Sequence, residues 1–152
     1  MVNFSEHFTN SSSQTNRIGM ILAQEIAKSK LKKATFVLAL QGELGSGKTT
    51  FLQGFAKGLG IKEKILSPTF VIMRKFKIRK KTRDFKNFYH IDCYRIKKPK
   101  EILDLGFKEI ISNPRNIVAI EWADRIKKIL PKNKLVLKFK FVDESKRQIA
   151  IR

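Results

Sequence analysis

The chain has 152 residues, of which 42% are hydrophobic and 30% charged. Such a composition is typical of one folded domain with a proper core and excludes an intrinsically disordered protein. Lysine and arginine outnumber the acids by 33 to 13, and a net charge of +20 attracts nucleic acid or an acidic protein surface. Because the lysines are spread along the chain, the charge is also typical of a lysine-rich proteome, and both interpretations stay open.

The sequence lacks the signs of a membrane or secreted protein. No apolar run approaches the ~20 residues that cross a bilayer. Residues 1–15 are polar and lack the basic start and apolar stretch of a signal peptide. A single cysteine, Cys93, excludes an internal disulfide and suits a reducing compartment. We therefore expect a cytoplasmic protein with no membrane association.

The first third of the chain predicts helix, strand and helix in that order. Residues 1–13 form a polar lead-in whose serines suit a helix cap. Apolar residues then recur at helical spacing over about 15–30. The apolar run 34–40 is typical of a buried strand, and a second helix begins near residue 50 and ends near Gly58.

Between that strand and the second helix lies Gly-Glu-Leu-Gly-Ser-Gly-Lys-Thr, here named the 42–49 loop. It matches the complete G-x-x-x-x-G-K-[ST] pattern of a phosphate-binding loop. A strand that breaks into glycines and turns into a helix aims several backbone N–H groups at one point. We expect this loop to bind a nucleoside triphosphate, with Lys48 at the β and γ phosphates and Thr49 on Mg²⁺. The expected nucleotide-binding residues here are Gly42, Gly45, Ser46, Gly47, Lys48, Thr49 and Thr50.

The rest of the chain predicts more strands than helices. Two extended runs are joined by a basic turn between Arg79 and Arg83, which indicates a long antiparallel hairpin. Together with the first third, this order predicts a single α/β domain over 1–152, a P-loop NTPase-like mixed sheet flanked by helices. The predicted elements are strands 66–78 and 88–95, a helix 99–105, a buried strand 116–120, a helix 123–130 and a strand pair 135–141 and 148–151.

Two acidic residues follow strands in the way that a nucleotide site requires. A P-loop NTPase needs a carboxylate from a neighbouring strand to hold Mg²⁺. Glu121 ends the most apolar strand and Asp92 ends another, which predicts both at the carboxyl edge of the sheet. We expect Glu121 on the magnesium side and Asp92 as a water-orienting or metal-side acid. Which of the two aligns the attacking water stays open. The weaker candidates are Thr69 as a γ-phosphate sensor, His90 as a structural histidine, Trp122 near the nucleotide and Arg95 as a phosphate-facing cation.

Four motifs in this order resemble the TsaE (YjeE) family of bacterial P-loop ATPases, over roughly residues 12–141. They are the 42–49 loop, 67–70 (Ser-Pro-Thr-Phe), 90–95 (His-Ile-Asp-Cys-Tyr-Arg) and 120–122 (Ile-Glu-Trp). The resemblance implies a part in forming N6-threonylcarbamoyladenosine at position 37 of tRNA, with the TsaB and TsaD proteins as partners and tRNA reached through their complex. It implies catalytic roles for Lys48, Asp92 and Glu121, magnesium held by Thr49 and Glu121, Trp122 beside ATP, and Ser12 and Thr15 near the adenine.

The resulting hypothesis is a magnesium-dependent ATPase that is weak alone and activated by its partners, because the short chain shows no obvious arginine finger. A nucleotide-dependent RNA-binding module and a small-molecule kinase stay open as alternatives. The chain has little room for the lid and acceptor pocket of a kinase. The basic turn between Arg79 and Arg83 is either a contact for tRNA or a partner, or an exposed loop of a lysine-rich lineage.

Overall fold

A computed structural model describes residues 4–30, 33–66, 71–79 and 84–152. Its strands form one seven-stranded mixed sheet. The strands are β1 (Ser5–Thr9), β2 (Phe36–Gln41), β3 (Met73–Lys77), β4 (Asn87–Asp92), β5 (Asn116–Glu121), β6 (Leu135–Phe141) and β7 (Arg147–Ile151). The helices are α1 (Ser12–Lys28), α2 (Lys48–Gly58), α3 (Lys100–Leu103), α4 (Phe107–Ser112) and a 3₁₀ helix (Ala123–Ile129).

The strand order is β1-β7-β6-β2-β5-β4-β3, and its four central strands are parallel. β5 lies between β2 and β4 with every residue buried, as its unbroken apolar run predicts. Antiparallel pairs flank this centre, namely β3 with β4 on one side and β7 with β6 and β1 on the other. The predicted mixed sheet with an antiparallel hairpin is therefore confirmed. Parallel pairing brings the carboxyl ends of β2, β4 and β5 to one edge.

Helices cover the two faces of the sheet unequally. α1 and α2 pack on one face of the sheet. There Phe51, Leu52 and Phe55 contact the inward residues of β2, β3, β4, β5, β6 and β7. On the other face, α3, α4 and the 3₁₀ helix bury Ile102 and Phe107 against β2, β4 and β5. No helix in the described part of the chain is both long enough and apolar enough to cross a bilayer.

The structure departs from the sequence-based expectations in several places. Within the described residues, the strands predicted over 66–78 and 88–95 are the shorter β3 (Met73–Lys77) and β4 (Asn87–Asp92). The polar lead-in contains strand β1, which pairs with β7, and α4 follows Gly106, whose φ of +82° makes a turn that no helix pattern indicates. The predicted helix 123–130 is a 3₁₀ helix with a kink at Ile126. Helix α1 begins earlier than expected, because the Ser11 side chain accepts a hydrogen bond from the Gln14 amide. Residues 67–70 and 80–83, including Thr69 and most of the basic turn, lie outside the described residues.

Helices α1 and α2 touch backbone to backbone because glycines line their contact. A Cβ built on Gly54 would lie 1.8 Å from the Asn16 carbonyl oxygen, and one on Gly19 would lie 2.1 Å from the Phe51 carbonyl oxygen. Such distances leave no room for a methyl group without moving a helix. The close contact fixes α2, and hence the 42–49 loop before it, against α1.

Replacing Gly54 by alanine should therefore destabilise the fold by about 3 kcal/mol, the upper end of the range for overpacked sites. Helix propensity alone predicts the opposite sign, a gain of up to about 1 kcal/mol. Chemical denaturation measures the difference, with Lys57→Ala, an exposed change on the same helix, as the control. A Gly54→Ala protein as stable as the wild type would contradict the close packing.

Candidate functional site

A cleft of about 950 Å³ opens at the carboxyl edge of the sheet, where the 42–49 loop leaves β2. Open α/β sheets bind ligands at this edge. The cleft takes residues from distant parts of the chain. Those from the predicted set that line it are Gly45, Ser46, Gly47, Lys48, Thr49, Thr50, Asp92, Glu121 and Trp122, together with Ser12 and Thr15.

Three glycines give the 42–49 loop its path. Gly45 and Gly47 have φ of +76° and +100°, a region that other residues rarely adopt. At Gly42, which does not line the cleft, a Cβ would lie 2.6 Å from the Phe139 carbonyl oxygen. Gly47 lies directly before the first turn of α2, and no described side chain caps that turn. The positive end of the helix dipole therefore faces the cleft, as an anion site requires.

The Lys48 ammonium lies against the loop. Its Nζ donates to the carbonyl oxygens of Gly42 and Glu43, the latter at 3.0 Å, and lies 4.5 Å from the centroid of the Trp122 ring. Burial lowers the pKa of Lys48, while the carboxylates of Glu121 and Asp92 act in the opposite direction. The cleft thus holds a largely desolvated cation beside two acids, which strengthens its attraction for an anionic group.

Glu121 connects α2 to the neighbouring strands. Its Oε1 accepts from the Thr49 hydroxyl at 3.4 Å, and its Oε2 lies 2.7 Å from Nε2 of His90. Glu121 is 3% exposed and His90 is fully buried. The other imidazole nitrogen, Nδ1, has no hydrogen-bond partner within the described residues. Because a carboxylate only accepts hydrogen bonds, Nε2 carries a hydrogen and donates it to Glu121.

Asp92 lies directly opposite Glu121 in the register of β4 and β5. Residues opposite each other in a parallel pair point to the same face, so both carboxyl groups approach the cleft together. The Oδ1 of Asp92 accepts from the Tyr94 amide at 2.8 Å, which fixes this half-buried side chain at the end of its strand. The sequence-based placement of the two acids at one edge is confirmed by this geometry, whereas their catalytic roles stay predictions.

An aromatic wall closes one side of the cleft. The backbone of Trp122 has a positive φ of +55°, which no other non-glycine residue in the described part of the chain shows. This backbone turns the indole towards Tyr94, whose ring centroid lies 5.1 Å away. The Arg125 guanidinium lies 5.6 Å from the Trp122 ring and 5.5 Å from the Tyr94 ring. Left-handed backbone at a bulky residue stores strain, which often marks a functional position.

The cleft suits a divalent ion only together with a ligand. No group of three or more histidine, cysteine or acidic side chains in the described ranges could hold a metal by itself. Thr49 and Glu121 nevertheless bring a hydroxyl and a carboxylate oxygen within 3.4 Å. Mg²⁺ is bound in nucleotide enzymes by one or two such oxygens plus phosphate oxygens and water. The donor set therefore fits Mg²⁺ bound with a polyphosphate.

Arg147 is a cleft residue that the sequence analysis missed. Its Nε donates to the Gly45 carbonyl at 2.9 Å, and one terminal nitrogen donates to the carbonyls of Asp143 and Lys146. The guanidinium therefore ties the β6–β7 turn to the 42–49 loop. No local sequence pattern predicts a contact between residues 102 positions apart. The contact depends on the pairing of β7 with β6 and of β6 with β2.

Comparisons with known proteins give one consistent result. Residues 9–149 match the family described as "Threonylcarbamoyl adenosine biosynthesis protein TsaE". The tRNA threonylcarbamoyladenosine biosynthesis protein TsaE of Rickettsia typhi is 35% identical over 96% of this chain and 93% of its own length. The Bacillus subtilis protein of that name is 38% identical over 74% of this chain and 66% of its own. The crystal structure of Bacillus subtilis YdiB superimposes with a TM-score of 0.74 at 29% identity, over 99% of this chain and 86% of that one.

The buried His90–Glu121 contact should show a strong energetic coupling. Hydrogen bonds to charged groups contribute about 1.5–3 kcal/mol to the free energy of unfolding. A buried carboxylate that loses its hydrogen-bond donor destabilises the folded state. His90→Leu should therefore destabilise the wild type by at least about 1.5 kcal/mol more than it destabilises the Glu121→Leu variant. A double-mutant cycle by chemical denaturation measures the coupling. A coupling energy near zero would mean that the two side chains do not interact in solution.

Proposed function

The chain belongs to the TsaE family, and we propose that it is the magnesium-dependent ATPase that supports threonylcarbamoyladenosine formation at position 37 of tRNA. The family assignment supports the place in tRNA modification. The observation that supports nucleotide hydrolysis is the contact of Thr49 with Glu121 beside a loop shaped for phosphate. A cytoplasmic location, which the single buried Cys93 suits, completes the proposal.

In this proposal each group acts by position and charge. Phosphoryl transfer leaves the protein little covalent chemistry, so that catalysis depends on alignment and charge stabilisation. The amides of the 42–49 loop hold the phosphate oxygens, and Lys48 exchanges the carbonyls of Gly42 and Glu43 for the β and γ phosphates. Thr49 and Glu121 would hold Mg²⁺ directly or through its water shell, and the ion would neutralise charge that develops on the phosphate oxygens.

We assign the attacking water to Asp92 rather than to Glu121. Glu121 contacts Thr49, the expected magnesium ligand, with one carboxylate oxygen and accepts from His90 with the other, which supports a position beside the ion. Asp92 lines the same cleft, and the Tyr94 amide holds it at the strand end. In this assignment Glu121 serves the ion and Asp92 orients the water. The sequence alone leaves that choice open.

Arg95 lines the cleft, and its role as a phosphate-facing cation stays a prediction. Two further arginines near the cleft are committed to other contacts, which is consistent with weak turnover by the protein alone. Arg147 donates to three backbone carbonyls, and Arg125 lies over the aromatic rings of Tyr94 and Trp122. A partner that inserts a cation or frees one of these would stabilise the transition state, as arginine fingers do. We propose the TsaB and TsaD proteins as these partners, with tRNA reached through their complex.

The ATPase proposal predicts different losses at two positions. Lys48→Ala should weaken ATP binding at least about ten-fold, because a charge-assisted contact to phosphate is lost. Glu121→Gln should still bind ATP without metal. The factor by which Mg²⁺ raises the affinity for ATP should be about ten-fold or more smaller in this variant than in the wild type. Calorimetric titration with ATP, with and without Mg²⁺, measures both, and Lys57→Ala is the control on α2. Equal affinity of all variants would remove the proposed site.

Phosphate release separates an ATPase from a kinase and tests the partners. The wild type should release free phosphate from ATP slowly without any acceptor, and faster when purified TsaB and TsaD are added. Asp92→Asn should abolish this release while ATP affinity changes little. Phosphate that appears only on an added small molecule would favour the kinase, and unchanged turnover with both proteins would contradict partner activation.

A further inference from the structure

Strands β1, β7 and β6 present a face that no described helix covers. α3, α4 and the 3₁₀ helix pack over β2, β4 and β5, but β1 and β7 contribute nothing to that second core. The residues of β1, β7 and β6 that point to this side include Phe8, 63% exposed, and the exposed Lys138 and Lys140. We name this surface the open face, and its members are Phe4, Glu6, Phe8, Lys138, Lys140, Gln148, Ala150 and Arg152.

The sheet register fixes the layout of the open face. Phe8, Gln148 and Lys140 lie opposite one another across the three strands and form one row. Lys138 lies two residues earlier on β6 and forms the next row with Ala150 and Glu6. Phe4 and Arg152 extend the pattern at the other end, and Phe4 is 82% exposed. Aromatic rings on the edge strand thus run alongside basic side chains further in.

The chemistry of the open face suits a polyanion with flat, apolar parts. Its three cations face a single acid, Glu6, and the chain as a whole carries +20. Phe4 and Phe8 are four residues apart, up to about 13 Å in an extended chain, which is enough for separate rings to stack on each. Proteins bind single-stranded nucleic acid by stacking bases on aromatic side chains while basic groups follow the phosphates. A protein partner would favour contiguous apolar surface, whereas here charged rows lie beside the rings.

We propose that the open face binds a single-stranded segment of RNA. Bases stack on Phe4 and Phe8, and the phosphates contact Lys138, Lys140 and Arg152. Lys140 lies near the carboxyl end of β6, which is parallel to β2 and therefore ends at the same sheet edge as the cleft. The RNA surface is thus adjacent to the nucleotide cleft but uses none of its residues, so each is testable without the other.

Fluorescence anisotropy with a labelled single-stranded RNA of about 12 nucleotides, and with a duplex of the same length, tests the proposal across a salt series. The wild type should bind the single strand more tightly than the duplex. Phe8→Ala should weaken single-strand binding about five-fold or more, since a stacked base contributes on that scale. The double variant Lys138→Glu with Lys140→Glu should weaken single-strand binding further. It should also reduce the slope of log affinity against log salt concentration by roughly one per lysine.

Matched controls separate this face from the general charge. Phe141→Ala removes an exposed ring from β6 on the opposite side of the sheet. Lys57→Glu with Lys108→Glu reverses two exposed charges on helices. The proposal requires smaller losses in both controls than in the open-face variants. Equal losses, or tighter binding of the duplex, would overturn it. Unchanged RNA affinity in the open-face variants would also overturn it, and loss of self-association in them would then assign the face to a protein contact.

Discussion

The pairing of β5 between β2 and β4 determines where Glu121 lies, and the site depends on that position. In this register Glu121 is opposite Leu40 on one side and Asp92 on the other. A slip of one residue would turn every side chain of β5 to the other face and remove the carboxylate from Thr49. Such a slip would also exchange the side chains of β5 between the two packed faces of the sheet, which hold apolar residues of different size. The hydrophobic core thereby sets the geometry of a polar site.

The same site contains features that stability alone would not favour. A carboxylate, an imidazole and an ammonium are nearly or fully buried at Glu121, His90 and Lys48, and each costs free energy unless it is hydrogen-bonded. Trp122 adds a left-handed backbone at a bulky residue. The His90–Glu121 and Thr49–Glu121 contacts offset part of this cost. Concentration of such features in one cleft is what a functional site predicts.

The sequence predicts the centre of this molecule well and its periphery poorly. The 42–49 loop and the apolar run of β5 carry strong local patterns, so that the parallel core and both acids follow from them. β1 has a mixed polar pattern and becomes a strand only through pairing with β7. The contact of Arg147 with Gly45 depends on the pairing of β7 with β6 and of β6 with β2. The short helix α4 falls below the length at which periodicity is informative. Long-range pairing, which single-residue patterns do not encode, accounts for most of these differences.

The most direct measurement is a crystal structure of the protein with Mg²⁺ and a non-hydrolysable ATP analogue. Our account predicts the phosphates inside the 42–49 loop and the ion about 2.1 Å from the Thr49 hydroxyl oxygen, the usual Mg²⁺–oxygen distance. Glu121 should contact the ion or one of its waters, and Asp92 should face the γ phosphate. An analogue bound elsewhere, or an ion remote from both Thr49 and Glu121, would contradict the account.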